Sequence, residues 1–228
     1  MKINGVVFDL DHTLFDRYAT LSAIASDFCT YFQDKLAGGM NENAVAQLLC
    51  EGDRTYIYYG WKRVFEFLLE KGMFTIHPEY SEYKALLLKL FTTKAVPFSF
   101  TYKVLEEVKA RGLKTGLITN GDAAVQREKL KLLGLTNSFD EVILCGDFGI
   151  QKPDAAPFKE MARRLGCSEG TLIYVGDNPI CDVGGASGAG YITVEVLTAD
   201  CTPPNAPVGD YRIKTVAELA ELLDKLIT

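Results

Sequence analysis

Gly5-Val6-Val7-Phe8-Asp9-Leu10-Asp11-His12-Thr13 is the stretch from which the rest of the chain is read. Gly5 to Phe8, with Ile3 ahead of it, is β-branched and aromatic without polar alternation, the pattern of a parallel strand covered on both faces. It runs straight into two carboxylates. Ligands of open α/β sheets bind where strands end at their carboxyl edge, so Asp9 and Asp11 fall where chemistry is placed. Period-two alternation predicts both carboxylates on one side. Taken alone, the run also reads as a turn closed by a helix cap from Asp11 or Thr13.

From Asp16 to about Lys94 strand signals vanish and helical spacing replaces them. Leu21, Ile24, Ala25, Phe28, Phe32 and Leu36 predict one helix, stopped by Gly38-Gly39. Asn41 is placed to cap a second, short helix carrying Val45, Leu48 and Leu49. Asp53 is placed to cap a third, with Ile57, Trp61, Val64, Phe65 and Leu68 on one stripe and Gly72 at its end. After the His77-Pro78 loop, Tyr83, Leu86, Leu87 and Leu90 predict a fourth. Tyr56, Tyr58, Tyr59 and Trp61 read as core aromatics, and Arg17, Arg54 and Lys62 as solvated surface. Such a bundle, inserted directly after the acidic motif, is expected to lie over the strand ends as a lid that excludes water.

Beyond Pro97 helix and strand alternate. Strands are predicted at Leu113 to Ile118, Glu141 to Cys145, Thr171 to Val175 and Tyr191 to Val196. Helices are predicted near 99–111, up to Leu133, at 154–165, at 180–188 and at 215–226, with Thr202 to Gly209 as a loop. Alternation of this kind implies right-handed crossovers and a parallel sheet wrapped by helices, with the N-terminal strand joining it. The expected architecture is therefore α/β, a Rossmann-like parallel core (1–16 and 96–228) with a helical-bundle cap (17–95) inserted after the first strand. Gly184-Gly185, Gly188 and Gly190 lack the G-x-G-x-x-G spacing and read as close helix packing.

Composition narrows the functions available. The chain has 24 basic and 30 acidic residues among 228, a net charge of −6, which argues against a nucleic-acid polymer or an anionic membrane as the main partner. The short apolar start, interrupted by Asp9, predicts neither a signal peptide nor a membrane span, hence a cytoplasmic protein. Cys29, Cys50, Cys145, Cys167, Cys181 and Cys201 form no C-x-x-C pair and lie far from His12 and His77. They are expected to be reduced thiols rather than zinc ligands.

Four predicted strands end in polar groups: Asp9 and Asp11, then Thr119-Asn120-Gly121, then Lys152-Pro153, then Gly176-Asp177. Each has an ordinary structural reading as turn, loop or cap. Together they bring carboxylates, a hydroxyl, an ammonium and turn amides to one edge, a set suited to phosphoryl transfer. A phosphate monoester carries about two negative charges, so Asp9 as nucleophile needs cations beside it. Asp9 and Asp177 could hold Mg²⁺, which prefers oxygen ligands, while Lys152 adds a positive charge. Thr119 and the amides near Asn120 can donate to the phosphoryl oxygens.

These four segments, with Asp182 after the last, resemble the motifs of the haloacid dehalogenase-like hydrolase superfamily, over about 175 residues. The helical insert is similar to the cap of its first subfamily, the branch of phosphoglycolate phosphatases and nucleotidases. Thr119 to Asp122 with Gln126-Arg127-Glu128-Lys129-Leu130 and Gly134-Leu135 looks like sialic-acid-phosphate phosphatases and pyrimidine nucleotidases. The resemblance implies that Asp9 attacks phosphorus to form an aspartyl-phosphate. Asp11 protonates the leaving alkoxide and then activates water. It also implies Mg²⁺ held by the Asp9 carboxylate, the Asp11 backbone carbonyl and Asp177, with Asp182 ordering a metal-bound water or Lys152. The expected substrate is a small phosphate ester, a nucleotide or sugar phosphate.

Other readings share the fold. A halide-displacing enzyme has an uncharged residue where this chain has Asp11. A sugar-phosphate mutase keeps every acid and differs in what the cap excludes. Receiver domains lack both the insert and the second acid. A non-catalytic binding protein on this scaffold would be expected to have lost one of Asp9, Asp11, Lys152 or Asp177. Substrate choice belongs to the cap, and neither it nor the oligomeric state is written in these motifs.

Overall fold

A computed structural model describes residues 2–198 and 202–227. They form two compact units, one built from residues 2–16, Pro97–Thr198 and 203–227, the other from Arg17–Val96 with Thr202. The chain opens with β1 (Gly5–Phe8), every residue of it buried.

The helical unit follows. Its helices are α1 (Arg17–Ala23), α2 (Ala25–Tyr31), α3 (Glu42–Tyr56), α4 (Trp61–Glu70) and α5 (Tyr80–Lys94). The single helix expected through Leu36 is two short ones joined at Ile24, ending in turns after Tyr31. Hydrogen bonds run across the joint, from Ile24 N to the Thr20 carbonyl and from Phe28 N to the Ile24 carbonyl. The apolar spacing therefore survives, and Leu21, Ile24, Phe28 and Phe32 all enter the core. Phe28 meets Tyr83 edge-on, and Phe32 meets Phe74 in the same way, the geometry aromatic quadrupoles favour.

Asn41 caps α3 as expected, accepting from Ala44 N at 3.0 Å. Asp53 does not begin a helix. It lies inside α3, 1% exposed, and takes the Arg17 Nε at 2.8 Å. Arg17, expected at the surface, is buried, with its guanidinium 4.9 Å from the Trp61 ring centroid and 4.8 Å from that of Phe91. A buried carboxylate needs a partner, and a guanidinium stacked on aromatic faces is desolvated at lower cost than an ammonium. Tyr56 and Trp61 pack against the same core, whereas Tyr59 is exposed.

The second unit completes the sheet with β2 (Lys114–Thr119), β3 (Glu141–Leu144), β4 (Leu172–Gly176), β5 (Ile192–Val196) and β6 (Tyr211–Ile213). All pairings are parallel and the order is β3-β2-β1-β4-β5-β6. Around it run α6 (Thr101–Ala110), α7 (Ala123–Leu132), α8 (Ala155–Leu165), α9 (Gly185–Gly188) and α10 (Leu219–Ile227). The sheet is thus the single parallel α/β sheet expected. The helix predicted over 180–188 is a π-type turn, Pro179–Gly184, leading into α9. Gly185 sits there because a Cβ would lie 2.7 Å from the Phe158 ring, which is the close packing inferred from the glycine run. Strand β6 was not expected. It is three residues long at the sheet edge, and Asp210 before it accepts from both Thr193 N and Thr193 Oγ1 at 2.8 Å.

Strand order reverses between β1 and β4. Chain order builds outward from β1 through β2 and β3 on one side, and from β4 through β6 on the other. The crevice at such a reversal is where α/β sheets bind ligands. Asp9 leaves β1 and Asp177 leaves β4 at this point.

Among the described residues no helix is long and apolar enough to cross a membrane. Cys29, Cys50, Cys145, Cys167 and Cys181 are free thiols; Cys201 lies outside the described residues.

Candidate active site

Lys152 organises the site. Its ammonium is buried and donates to Asp9 Oδ1 at 2.6 Å, Asp182 Oδ1 at 2.7 Å, the Tyr174 hydroxyl at 2.8 Å and the Ile118 carbonyl at 3.0 Å. Four acceptors surround three N–H donors. The Tyr174 hydroxyl, 3.2 Å from both Asp182 Oδ1 and the Ile118 carbonyl, supplies one more donor to the group. The backbone of Lys152 is held by Asn120, whose Oδ1 accepts from Lys152 N and whose Nδ2 donates to the Lys152 carbonyl, both at 2.9 Å. The Asn120 side chain thus fixes the lysine loop, a role the motif reading did not contain.

Asp182 reaches the cluster because residue 176 is glycine: a Cβ there would lie 2.5 Å from Asp182 Cγ. Its Oδ2 accepts from Asn178 N at 2.9 Å. Asn178 in turn caps the π-type turn through Ile180 N and Cys181 N. Asp177 is buried beside it and accepts from Thr198 Oγ1 at 3.2 Å. One oxygen each from Asp9, Asp177 and Asp182 lies within 4.8 Å of the others.

The electrostatics follow from that count. Burial pushes the Asp9 carboxyl well above the usual carboxylate range; Lys152 opposes this, while Asp182, Asp177 and Asp11 reinforce it. For Lys152, burial works against the charge, but Asp182 and Asp9 outweigh it and hold the ammonium's pKa well above the ordinary value. Three buried carboxylates around one ammonium leave negative charge in excess. Such a cluster could hold a metal ion.

Asp9 and Asp11 are held by different cations, Lys152 and Lys129. The strand ends at Phe8 and His12 has a positive φ of 61°, so period-two alternation does not extend through Asp11. The Asp11 carboxylate receives Lys129 Nζ at 2.6 Å on Oδ1 and 2.8 Å on Oδ2, and Gln126 Nε2 at 3.0 Å on Oδ2. Gln126 Nε2 also donates to the Thr119 hydroxyl. Thr119, Gln126 and Lys129 are all buried. α7, capped by Asp122 through Ala124 N and Val125 N, presents Gln126 and Lys129 together because residues three apart share a helix face.

All seven residues expected at the site therefore fall at the carboxyl ends of β1, β2 and β4 or in the loops after β3 and β4. Lys129, Gln126 and Tyr174 were not foreseen. A Gln-x-x-Lys pair on an otherwise charged helix reads as solvent face, and Tyr174 reads as an ordinary strand aromatic. The signal available was that Gln126 and Lys129 stand three apart on the helix that directly follows Thr119.

A family model described as haloacid dehalogenase-like hydrolase matches residues 6–196, a span that includes all seven residues expected at the site. The chain belongs to the haloacid dehalogenase-like hydrolase family. It is 29% identical over 242 residues to a glyceraldehyde 3-phosphate phosphatase of Methanocaldococcus jannaschii, covering 98% of each chain. It is 30% identical over 129 residues to the human N-acylneuraminate-9-phosphatase, covering 53% of this chain and 52% of that one. Among solved structures, a HAD phosphatase from Thermococcus onnurineus superposes with a TM-score of 0.61 at 27% identity, covering 97% of this chain and 98% of the other. Within the family the chain is thus a hydrolase of the phosphatase kind.

Proposed function

We propose that this enzyme is a Mg²⁺-dependent phosphomonoester hydrolase that cleaves a small phosphorylated metabolite through an aspartyl-phosphate on Asp9. The observation that carries the reading is the buried trio Asp9, Asp177 and Asp182 with Lys152 bridging two of its members. The residues fit the metal: three hard carboxylate donors, short of positive charge, suit Mg²⁺ better than a soft or nitrogen-seeking ion. Asp9 and Asp177 would hold it, with the Asp11 carbonyl as the family resemblance implies and Asp182 behind them. When bound, Mg²⁺ would offset the charge that phosphate brings to a site already rich in carboxylates.

The chain's own groups supply the chemistry. One Asp9 oxygen attacks phosphorus and the ester P–O bond breaks, while Asp11 gives its proton to the departing oxygen so that an alcohol leaves. Asp11, now a carboxylate, takes a proton from water. The water oxygen attacks phosphorus, the Asp9–phosphorus bond breaks, and the Asp9 carboxylate returns with inorganic phosphate. Lys152 keeps Asp9 oriented and neutralises negative charge throughout. The Thr119 hydroxyl and the backbone amide of Asn120 meet the phosphoryl oxygens, where charge gathers in the transition state.

The M. jannaschii relative, matched along nearly its whole length, is named a glyceraldehyde 3-phosphate phosphatase, which favours a short sugar phosphate over a nucleotide. Selection of the substrate is assigned to the helical insert, residues 17–95, as the family resemblance implies. The compartment is the cytoplasm, in keeping with the free thiols among the described residues. The test is phosphate release from sugar phosphates, nucleoside monophosphates, phosphoglycolate and a nitrophenyl ester, with Mg²⁺ and with chelator. Magnesium-dependent release concentrated on one class supports the reading. Folded protein that releases phosphate from none of them would overturn it.

A further inference from the structure

Asp11 is the acid-base group of the proposed reaction, yet the motifs say nothing of what holds it. Lys129 is 3% exposed, and burying a lysine removes an ammonium from water at a cost of several kcal/mol unless charge and hydrogen bonds offset it. Its ammonium spans both oxygens of the Asp11 carboxylate and stands 4.6 Å from the centroid of the Phe15 ring, a favourable cation–π distance. Gln126 adds a third hydrogen bond, to Oδ2, and with the same amide nitrogen reaches the Thr119 hydroxyl. When ionised, the carboxylate is held on both oxygens. When it carries the proton to be donated, Oδ1 gives up its bond to Lys129 while Oδ2 keeps those to Lys129 and Gln126, so the group stays fixed in position. The same chain of contacts ties it to the hydroxyl assigned to the phosphoryl oxygens.

We propose that Lys129 and Gln126 are positioning residues that hold the Asp11 carboxylate in register with the phosphoryl group on Thr119. The inference rests on the phosphatase reading above and deepens it. Proton transfer demands donor and acceptor within hydrogen-bond reach, and a displacement near 1 Å can cost about 10²-fold in rate. A second cation on α7 then serves the acid-base group, while Lys152 serves the nucleophile.

The leaving group separates positioning from mere support. An alkyl phosphate needs a proton on its departing oxygen, whereas nitrophenolate leaves without one. The parameter kcat/KM covers only the steps up to loss of the alcohol. In Lys129→Met, kcat/KM for the alkyl ester is expected to fall about 10²-fold, the lower end of what acid-base catalysis contributes, and for nitrophenyl phosphate by far less. Gln126→Leu, which leaves the ion pair in place, is expected to shift the same ratio in the same direction by a smaller factor. It also guards against loss of fold in the lysine variant. In Lys129→Ala, added ethylammonium should restore alkyl-ester turnover selectively. Equal loss on both esters in both variants, with no rescue, would overturn the inference while leaving the phosphatase reading intact. Wild-type protein that cleaves neither ester would remove the reading on which it rests.

Discussion

Each unit of this protein buries a cation against a carboxylate, and the two arrangements differ in kind. In the helical unit Arg17 meets Asp53 with its guanidinium beside the rings of Trp61 and Phe91. In the α/β unit Lys152 meets Asp9 and Asp182 with Asp177 close by. The first is a guanidinium lying close to two aromatic rings that meet edge to face, inside a hydrophobic core. The second is a compact ammonium among carboxylates and a phenol, at the crevice where strand order reverses. Buried charge therefore does not by itself mark chemistry. What marks it is carboxylate in excess of cation at the carboxyl ends of strands where their order reverses.

The comparison breaks first at Asp9. Asp9→Asn is expected to lower turnover by about 10⁴-fold or more, as loss of a nucleophile does. It should leave the melting temperature unchanged or raised, since burial already disfavours the Asp9 charge. Steady-state kinetics beside a thermal melt checks both halves, and a destabilised but active variant would reverse the assignment.

Removing a cation from either unit leaves a buried carboxylate behind, at about 3 kcal/mol or more. Denaturant titration of Arg17→Met should show that loss with or without Mg²⁺, and Asp53→Leu on the same background should recover much of it. Lys152→Met should lose turnover, and its stability should be partly restored by Mg²⁺ because the metal takes the place of the missing charge. A metal effect in the Arg17 variant, or none in the Lys152 variant, would erase the distinction between the two sites.

Metal alone sharpens the point. Mg²⁺ at a hundred times its dissociation constant should stabilise the wild type by about 2.7 kcal/mol, seen as a raised melting temperature that chelator reverses. Asp177→Asn should abolish the shift. Retention of the full shift would take Asp177 out of the metal site.

The smallest effect belongs to an exposed cluster. Arg163 and Arg164 hold the Glu160 carboxyl down from 4.5 to about 2. A lowered folded value means its contribution is present above the usual carboxylate range and lost as pH falls toward about 2. Glu160→Gln should therefore match the wild type in strong acid and differ from it only slightly at neutral pH, since exposed pairs contribute little. Acid-unfolding curves that differ most below pH 2 would contradict the sign.

What the amino-acid order disclosed follows the same division. Gly5 to Phe8 reads as a buried parallel strand because nothing in it alternates, and the site residues are legible because they end strands. Asp53 misled because an acid ahead of an apolar stripe looks like a helix cap, and only Arg17, 36 residues away, shows that it is not. Lys129 enters the sequence reading only as part of a family likeness, without a role, because nothing local in Arg127-Glu128-Lys129 shows that Asp11, 118 residues distant, takes it inward. Strand β6 was illegible because three residues are too few to show a period, and the prolines at 203, 204 and 207 suggested only loop. Local pattern reveals elements; pairings across the chain belong to the folded structure.

The central claim is that phosphate passes through Asp9. The direct measurement is rapid acid quench of the enzyme turning over a ³²P-labelled ester with Mg²⁺, followed by peptide mapping. The account requires acid-stable, base-labile label on the peptide holding Asp9, absent from Asp9→Asn. Turnover with no labelled enzyme at any time, or label on another residue, would contradict it.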